Sequence, residues 1–106
     1  MAENKFGAEL DQNGYAESIV NSERVCFWSG ESGTLVRHEI FHGANRHKSK
    51  ELGLWVWLTP EVHMALHAGK DQIDKRLKRI GQLIAMSTYN WSVDEFRREF
   101  GKNYIE

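Results

Sequence analysis

The chain contains a single cysteine, Cys26, among its 106 residues. One thiol cannot form a disulfide within the chain, and a zinc site built on paired Cys-x-x-Cys motifs is excluded as well. We therefore expect Cys26 to be a small core residue. The same cysteine usage predicts a cytoplasmic protein.

Long apolar runs are absent too. No stretch approaches the roughly 20 apolar residues that a membrane-spanning helix needs. The segment MAENKFGAELDQNG lacks the basic-then-apolar order of a secretion signal. Hydrophobic residues make up 41% of the chain and charged residues 27%, as in typical globular proteins. These values predict one domain, 1–106, with a modest core and no membrane partner.

The net charge of −1 conceals an uneven distribution. Residues 1–36 carry two basic and six acidic side chains, whereas residues 37–79 carry nine basic and five acidic ones. The basic segment also holds all five histidines, which are His38, His42, His47, His63 and His67. A charged segment is usually a solvated face, but its coincidence with every histidine favours a metal site near a polyanion.

The stretch HEIFH, residues 38–42, has the spacing of the zinc-metalloprotease signature. That signature works only in a helix, where two histidines four apart share a zinc ion and the glutamate activates water. Here Thr34, Val36 and Ile40 favour a strand, and Gly43 ends the stretch. We therefore expect a strand that runs into a loop, and a metalloprotease is the least favoured of three hypotheses.

Two further segments predict strands. The apolar run RVCFW, residues 24–28, and the residues that lead into His38 look like a hairpin or a strand pair. The run LWVWL, residues 54–58, has strand propensity, and Trp55 and Trp57 lie on one of its faces. We expect these two tryptophans to pack on a helix predicted at residues 71–86.

Helix signals follow the last strand. Thr59 is a good N-cap and Pro60 suits the first helical position, so a helix beginning there would stack His63 and His67 on one face. An apolar stripe predicts the helix at 71–86, and a capping box, Ser92-Val-Asp-Glu95, opens a last short helix.

The fold class predicted from this order is α+β. An N-terminal arm, residues 1–22, with a short helix at 16–20, precedes a ββα core at 24–70 and C-terminal helices at 71–106. A strand with His38 and a helix with His63 and His67 can hold one divalent ion between them. Three protein ligands leave positions open for water or phosphate, as in catalytic sites.

These segments resemble a known family. WLTPEVHMALHAGK, residues 57–70, is similar to the closing metal-binding segment of the HNH or His-Me finger (ββα-metal) nucleases, the colicin-type DNases in particular. LVRHEIF, residues 35–41, resembles their opening strand, and HEIFHGANRHKSKELGLWVWL resembles small bacteriophage HNH-like or recombination-associated proteins. The resemblance covers about residues 26–70.

The resemblance implies a metal-dependent endonuclease with a ββα-metal core, in a phage or prophage DNA-processing or recombination system. It implies nucleic acid as the partner, with DNA favoured over RNA. The cofactor would be one divalent ion: Mg²⁺, Mn²⁺, Zn²⁺ or Ni²⁺. A double-strand break would need a homodimer or a partner protein, since a chain this small would cut one strand.

Carried over by position, His38, His63 and His67 match the metal ligands. Glu39 stands where the family has its catalytic histidine, so the general base is open among His38, Glu39 and His42. In one alternative His42 reaches the site from the loop. In another the register is shifted, so that His38 is the base and Glu39 is a ligand or an orienting group.

Basic residues near these positions would contact the substrate. Arg46 and Arg37 could neutralise phosphate charge, and Lys48, Lys50 and Lys70 would hold the nucleic-acid backbone without reading its sequence. A non-catalytic, metal-stabilised nucleic-acid-binding module on a nuclease fold is the alternative, since the usual base is replaced by Glu39.

Overall fold

The computed structural model describes residues 2–105. In chain order its elements are β1 (Val36–Glu39), α1 (Arg46–Glu51), β2 (Trp55–Leu58), α2 (Pro60–His67), α3 (Ile73–Tyr89) and α4 (Val93–Phe100). Single 3-10 turns, Gly43–Asn45 and Lys70–Gln72, precede α1 and α3. β1 and β2 form a two-stranded antiparallel sheet, so the predicted α+β class is confirmed. Within these residues, no helix combines the length and apolar character needed to cross a membrane.

The stretch HEIFH is not helical. His38 and Glu39 are the last residues of β1, and residues 40–42 form a bend that leads to the first 3-10 turn. The expected strand running into a loop is therefore confirmed. The metalloprotease hypothesis loses its basis, because its two histidines would have to lie one turn apart on a helix.

The partner strand of β1 differs from the prediction. Residues 24–28 form turns rather than a strand: the Gly30 amide donates to the Cys26 carbonyl at 2.8 Å. A single backbone hydrogen bond, from Phe27 to the Trp57 carbonyl at 2.8 Å, ties this segment to β2. The pairing predicted between residues 24–28 and the segment before His38 is wrong, because β2 supplies the ladder of β1 instead.

The helix boundaries follow local signals. The Thr59 hydroxyl accepts a hydrogen bond from the Val62 amide at 3.2 Å, with Pro60 in the first helical position of α2. The capping box of Ser92 and Glu95 is present at the start of α4. α3 begins two residues later than predicted, at Ile73, because Asp71 and Gln72 adopt left-handed backbone angles that interrupt the helix.

The core lies between the sheet and the helices. One face of the hairpin and the bend after β1 contribute fully buried apolar residues, and helices α3 and α4 cover them with others; the largest are Phe41, Phe96, Ile40, Leu54, Leu58, Leu77 and Val56. Because Val56 and Leu58 occupy the core face of β2, the alternate residues Trp55 and Trp57 must point to the opposite face.

The N-terminal arm covers that opposite face. The Trp55 indole donates to the Ala16 carbonyl at 2.8 Å, and the Asn21 side chain accepts from the Trp57 amide at 2.7 Å. The prediction that these tryptophans pack on the helix at 71–86 is therefore wrong. The hydrophobic pattern identified a shared face but could not identify its cover, which is an irregular, polar segment.

The arm itself has no helix at residues 16–20. Its backbone amides bond to the chain around β2 instead: Ala16 donates to the Lys50 carbonyl at 3.0 Å and Ile19 to the Gly53 carbonyl at 2.9 Å. The Ser18 hydroxyl donates to the Trp55 carbonyl at 2.6 Å. The predicted short helix is wrong, because these hydrogen bonds take the backbone groups that a helix would pair internally.

Replacing Gly53 with alanine should detach the arm and destabilise the protein. Gly53 has a φ of +72°, and an added Cβ would lie 2.4 Å from the Glu17 carbonyl oxygen. We expect the free energy of unfolding to fall by about 3 kcal/mol, since left-handed strain and a backbone clash combine. Gly30→Ala is the control: its φ is +80° but nothing lies near its Cβ, so about 1 kcal/mol is expected. Urea denaturation would compare them, and equal losses would contradict the clash.

Candidate metal centre

Three histidines converge where β1 meets α2. His38 projects from the strand, and His63 and His67 lie one turn apart on the helix that Thr59 and Pro60 start. The Nε2 atoms of His63 and His67 are 3.2 Å apart, and one ring nitrogen from each of the three residues lies within 4.8 Å of the others. Tetrahedral zinc ligands at 2.0–2.1 Å would stand about 3.3 Å apart, so this spacing is already close to a coordination shell.

His38 is the buried member of this cluster. Its side chain is 3% exposed, and its Nε2 is a buried polar atom without a hydrogen-bond partner in the part of the chain described. Burial, reinforced by the neighbouring His63 and His42, lowers the pKa of His38 to about 3. Burial of an imidazole nitrogen without a hydrogen-bond partner costs free energy unless a ligand binds it. A divalent cation is a suitable ligand for the nitrogen of a neutral imidazole.

The pKa of His63 is also lowered. Burial and the neighbouring His67 lower its pKa, so that this ring also favours the neutral form that a metal ligand requires. The residues present therefore fit one divalent ion held by His38, His63 and His67.

A second group adjoins the three histidines. His42 Nε2 lies 3.0 Å from Asp74 Oδ1, and the Lys78 ammonium lies 3.0 Å from the other carboxylate oxygen. Burial opposes ionisation of Asp74, but the hydrogen bonds from Lys78 and His42 outweigh it and lower the pKa of this carboxyl. Ring and carboxylate atoms of His38, His42 and Asp74 also lie within 4.8 Å of one another.

The carboxylate of Glu39 contacts two residues outside the histidine cluster. Its Oε2 accepts a hydrogen bond from the Tyr15 hydroxyl at 2.5 Å, and its Oε1 lies 2.8 Å from the Arg46 Nε. Burial and the hydrogen bond to Glu39 raise the pKa of Tyr15 to about 12, so this hydroxyl remains a donor. Both carboxylate oxygens of Glu39 are therefore occupied.

The four clustered histidines and Glu39 line one cleft of about 330 Å³ together with Tyr15, whereas Asp74 and Lys78 lie outside its lining. The two arginines predicted to meet phosphate both line it. Arg37 is paired with Asp11 at 3.0 Å and lies over the Tyr15 ring, whereas the Arg46 side chain is 62% exposed.

The predicted lysines lie outside the cleft lining. Lys48 donates to the Glu99 carbonyl at 2.6 Å, and the Lys50 ammonium sits 4.7 Å from the Tyr15 ring centre. Lys70 is exposed in the 3-10 turn after α2. His47 is exposed on α1 and does not join the other four histidines.

Sequence reasoning missed two residues of this site. Tyr15 lies in the arm, 24 residues before its partner Glu39, and Asp74 lies in α3, 32 residues after His42. Neither belongs to a motif. The only local signal was the i, i+4 pairing of Asp74 with Lys78, which also occurs on ordinary helix surfaces.

Comparison of the chain with protein-family models, with curated proteins and with solved structures gives no match in any of the three.

Proposed function

We propose that the protein is a divalent-metal-dependent endonuclease of the HNH type that hydrolyses DNA phosphodiester bonds. The observation that carries this proposal is the buried, unpartnered Nε2 of His38, which lies beside the paired histidines of α2. The order β1, β2, α2 around these histidines supports a ββα-metal core, and the sequence resemblance supplies the reaction.

His38, His63 and His67 would hold the ion. When bound, the ion supplies Lewis-acid stabilisation of charge on the scissile phosphate and on the leaving oxygen. An all-imidazole ligand set suits Zn²⁺ or Ni²⁺ better than Mg²⁺, which prefers oxygen ligands. Among the four ions implied by the resemblance, we therefore propose Zn²⁺ or Ni²⁺ as the better fit.

His42 is the best-placed general base. His38 is buried and would be a ligand, and both oxygens of Glu39 are engaged. His42 is exposed at the cleft, and Asp74 holds its Nε2. In the neutral ring, an ionised Asp74 favours the tautomer with its proton on Nε2, which would leave Nδ1 to accept a proton from water.

Substrate binding would rely on the arginines of the cleft. A guanidinium can bind two phosphate oxygens at once, and a contact to phosphate does not depend on the base, so we expect little sequence specificity. One such cleft cuts one strand, so a double-strand break would need a second copy or a partner protein.

The test is nicking of supercoiled plasmid by metal-stripped protein, with Zn²⁺, Ni²⁺, Mn²⁺ or Mg²⁺ added back. We expect metal-dependent nicking that His42→Ala slows by about 100-fold or more, the usual contribution of a general base. Glu39→Gln should retain nicking within about tenfold, because its amide oxygen can still accept one of the two hydrogen bonds that Glu39 accepts.

Two results would change this assignment. Loss of nicking in Glu39→Gln, with His42→Ala still active, would make Glu39 the base. If the protein binds DNA but does not nick it with any of the four metals, the proposed nuclease activity is rejected and the non-catalytic binding module is favoured.

A further inference from the structure

Three separate segments meet at the carboxylate of Glu39. Tyr15 comes from the irregular arm, Glu39 ends β1, and Arg46 is the first residue of α1. Glu39 is 8% exposed, so its charge is held in a largely buried position next to His38. A lone carboxylate there would repel a phosphodiester that approaches the metal centre.

The contact with Arg46 removes that repulsion and leaves part of the guanidinium available. Arg46 meets Glu39 through Nε at 2.8 Å, and no other carboxylate among residues 2–105 is paired with it. Its side chain is 62% exposed and lines the cleft. The terminal nitrogens are the part of arginine that forms a fork for two oxygens of an oxyanion.

Tyr15 fixes the other side of the carboxylate. Its hydroxyl donates to Oε2 at 2.5 Å, so Glu39 cannot rotate without losing one of two charge-assisted contacts. The Tyr15 ring is itself held, with its centre 5.6 Å from the edge-on ring of Trp55 and 4.3 Å from the Arg37 guanidinium.

We propose that Tyr15, Glu39 and Arg46 form an anion-binding subsite beside the metal centre, in which Tyr15 and Glu39 position Arg46 to bind phosphate oxygens. The ligand class is a phosphate oxyanion, and its identification with the phosphodiester of DNA rests on the proposed function. Arg46 is the binding residue, whereas Tyr15 and Glu39 are positioning residues. The arm is thereby part of the site.

The experiment is a double-mutant cycle on the binding of inorganic phosphate. Calorimetric titrations at fixed ionic strength would compare the unmodified chain with Arg46→Lys, Tyr15→Phe and the double variant, with and without one equivalent of Zn²⁺. We expect about tenfold weaker binding for Arg46→Lys, because lysine cannot form the fork, and about threefold for Tyr15→Phe. The double variant should bind no more weakly than Arg46→Lys, because Tyr15 acts through Arg46.

A matched control separates positioning from general destabilisation. The Tyr89 hydroxyl also donates a short hydrogen bond, to the Leu52 carbonyl at 2.6 Å, but it does not line the cleft. Tyr89→Phe should therefore leave phosphate affinity unchanged. In ¹H–¹⁵N spectra of the unmodified chain, the Arg46 Nε–H signal should shift with phosphate, and Tyr15→Phe should broaden it.

The proposal is overturned if Tyr15→Phe binds phosphate within twofold of the unmodified chain, or if the two single effects multiply in the double variant. This test of the subsite is independent of the test of nuclease activity. If phosphate binding depends on Tyr15 and Arg46 but the protein nicks no plasmid, the proposed subsite is supported and the proposed nuclease activity is rejected.

Discussion

His63→Ala should weaken Zn²⁺ binding by at least about 100-fold and abolish metal-dependent nicking. Loss of a mere hydrogen-bond partner behind a ligand typically costs 10–100-fold in metal affinity, so loss of the ligand itself should exceed that range. His63 is half-buried on the face of α2, next to His67 and opposite His38. The measurement is competition for Zn²⁺ against a chelator of known affinity, beside the plasmid assay.

His47→Ala is the matched control for this loss. It removes the same imidazole from an exposed position on α1, outside the cleft. Zn²⁺ affinity and nicking should both survive that change. Equal affinities for the His63→Ala and His47→Ala variants would contradict the assignment of the α2 histidines as ligands.

Acidification should destabilise the metal-free protein through His38. Burial holds the pKa of this residue at about 3 in the folded chain, against 6.5 for an ordinary histidine. Below pH 6.5 the unfolded chain therefore binds a proton that the folded chain does not. The free energy of unfolding should fall as the pH is lowered from 6.5 towards 3, by on the order of 4 kcal/mol from this group.

The variant His38→Gln isolates that contribution. Glutamine has no titrating group, so the difference in unfolding free energy between the two proteins should change with pH across this window and level off below it. Urea denaturation in the presence of a chelator, at several pH values, measures both curves. Parallel curves would show that His38 is not held neutral. Saturating Zn²⁺ should raise stability most near neutral pH, where protons compete least for the imidazoles.

The parts of the fold that the sequence predicted are those set by neighbours along the chain. The start of α2 at Thr59 and Pro60 and the capping box of Ser92 and Glu95 depend on contacts within four residues. The position of His63 and His67 on one face of α2 likewise follows from their spacing of four residues. Such features need no knowledge of what packs against them.

The errors have a common physical origin in tertiary contacts. Residues 24–28 have the composition of a strand, but β1 pairs with β2 and not with them. The face of Trp55 and Trp57 is covered by the arm and not by a helix. Tyr15 and Asp74 entered the site for the same reason, since each meets its partner only after distant segments pack. The sequence pattern predicted which face is apolar and which residues could be ligands, but not which segments lie beside them.

Contacts between residues far apart in the sequence also bear on how the chain folds. Lys5 pairs with Glu99 across 94 residues, and the Asn45 amide donates to the Phe100 carbonyl across 55. Contacts of such long sequence separation slow folding relative to helical bundles of similar size, because large loops must close before these contacts form. A chain still emerging during synthesis lacks Asp74 until α3 has been made. We therefore expect the pairing of His42 with Asp74 to form late in folding, after the hairpin and α2 that hold the three central histidines.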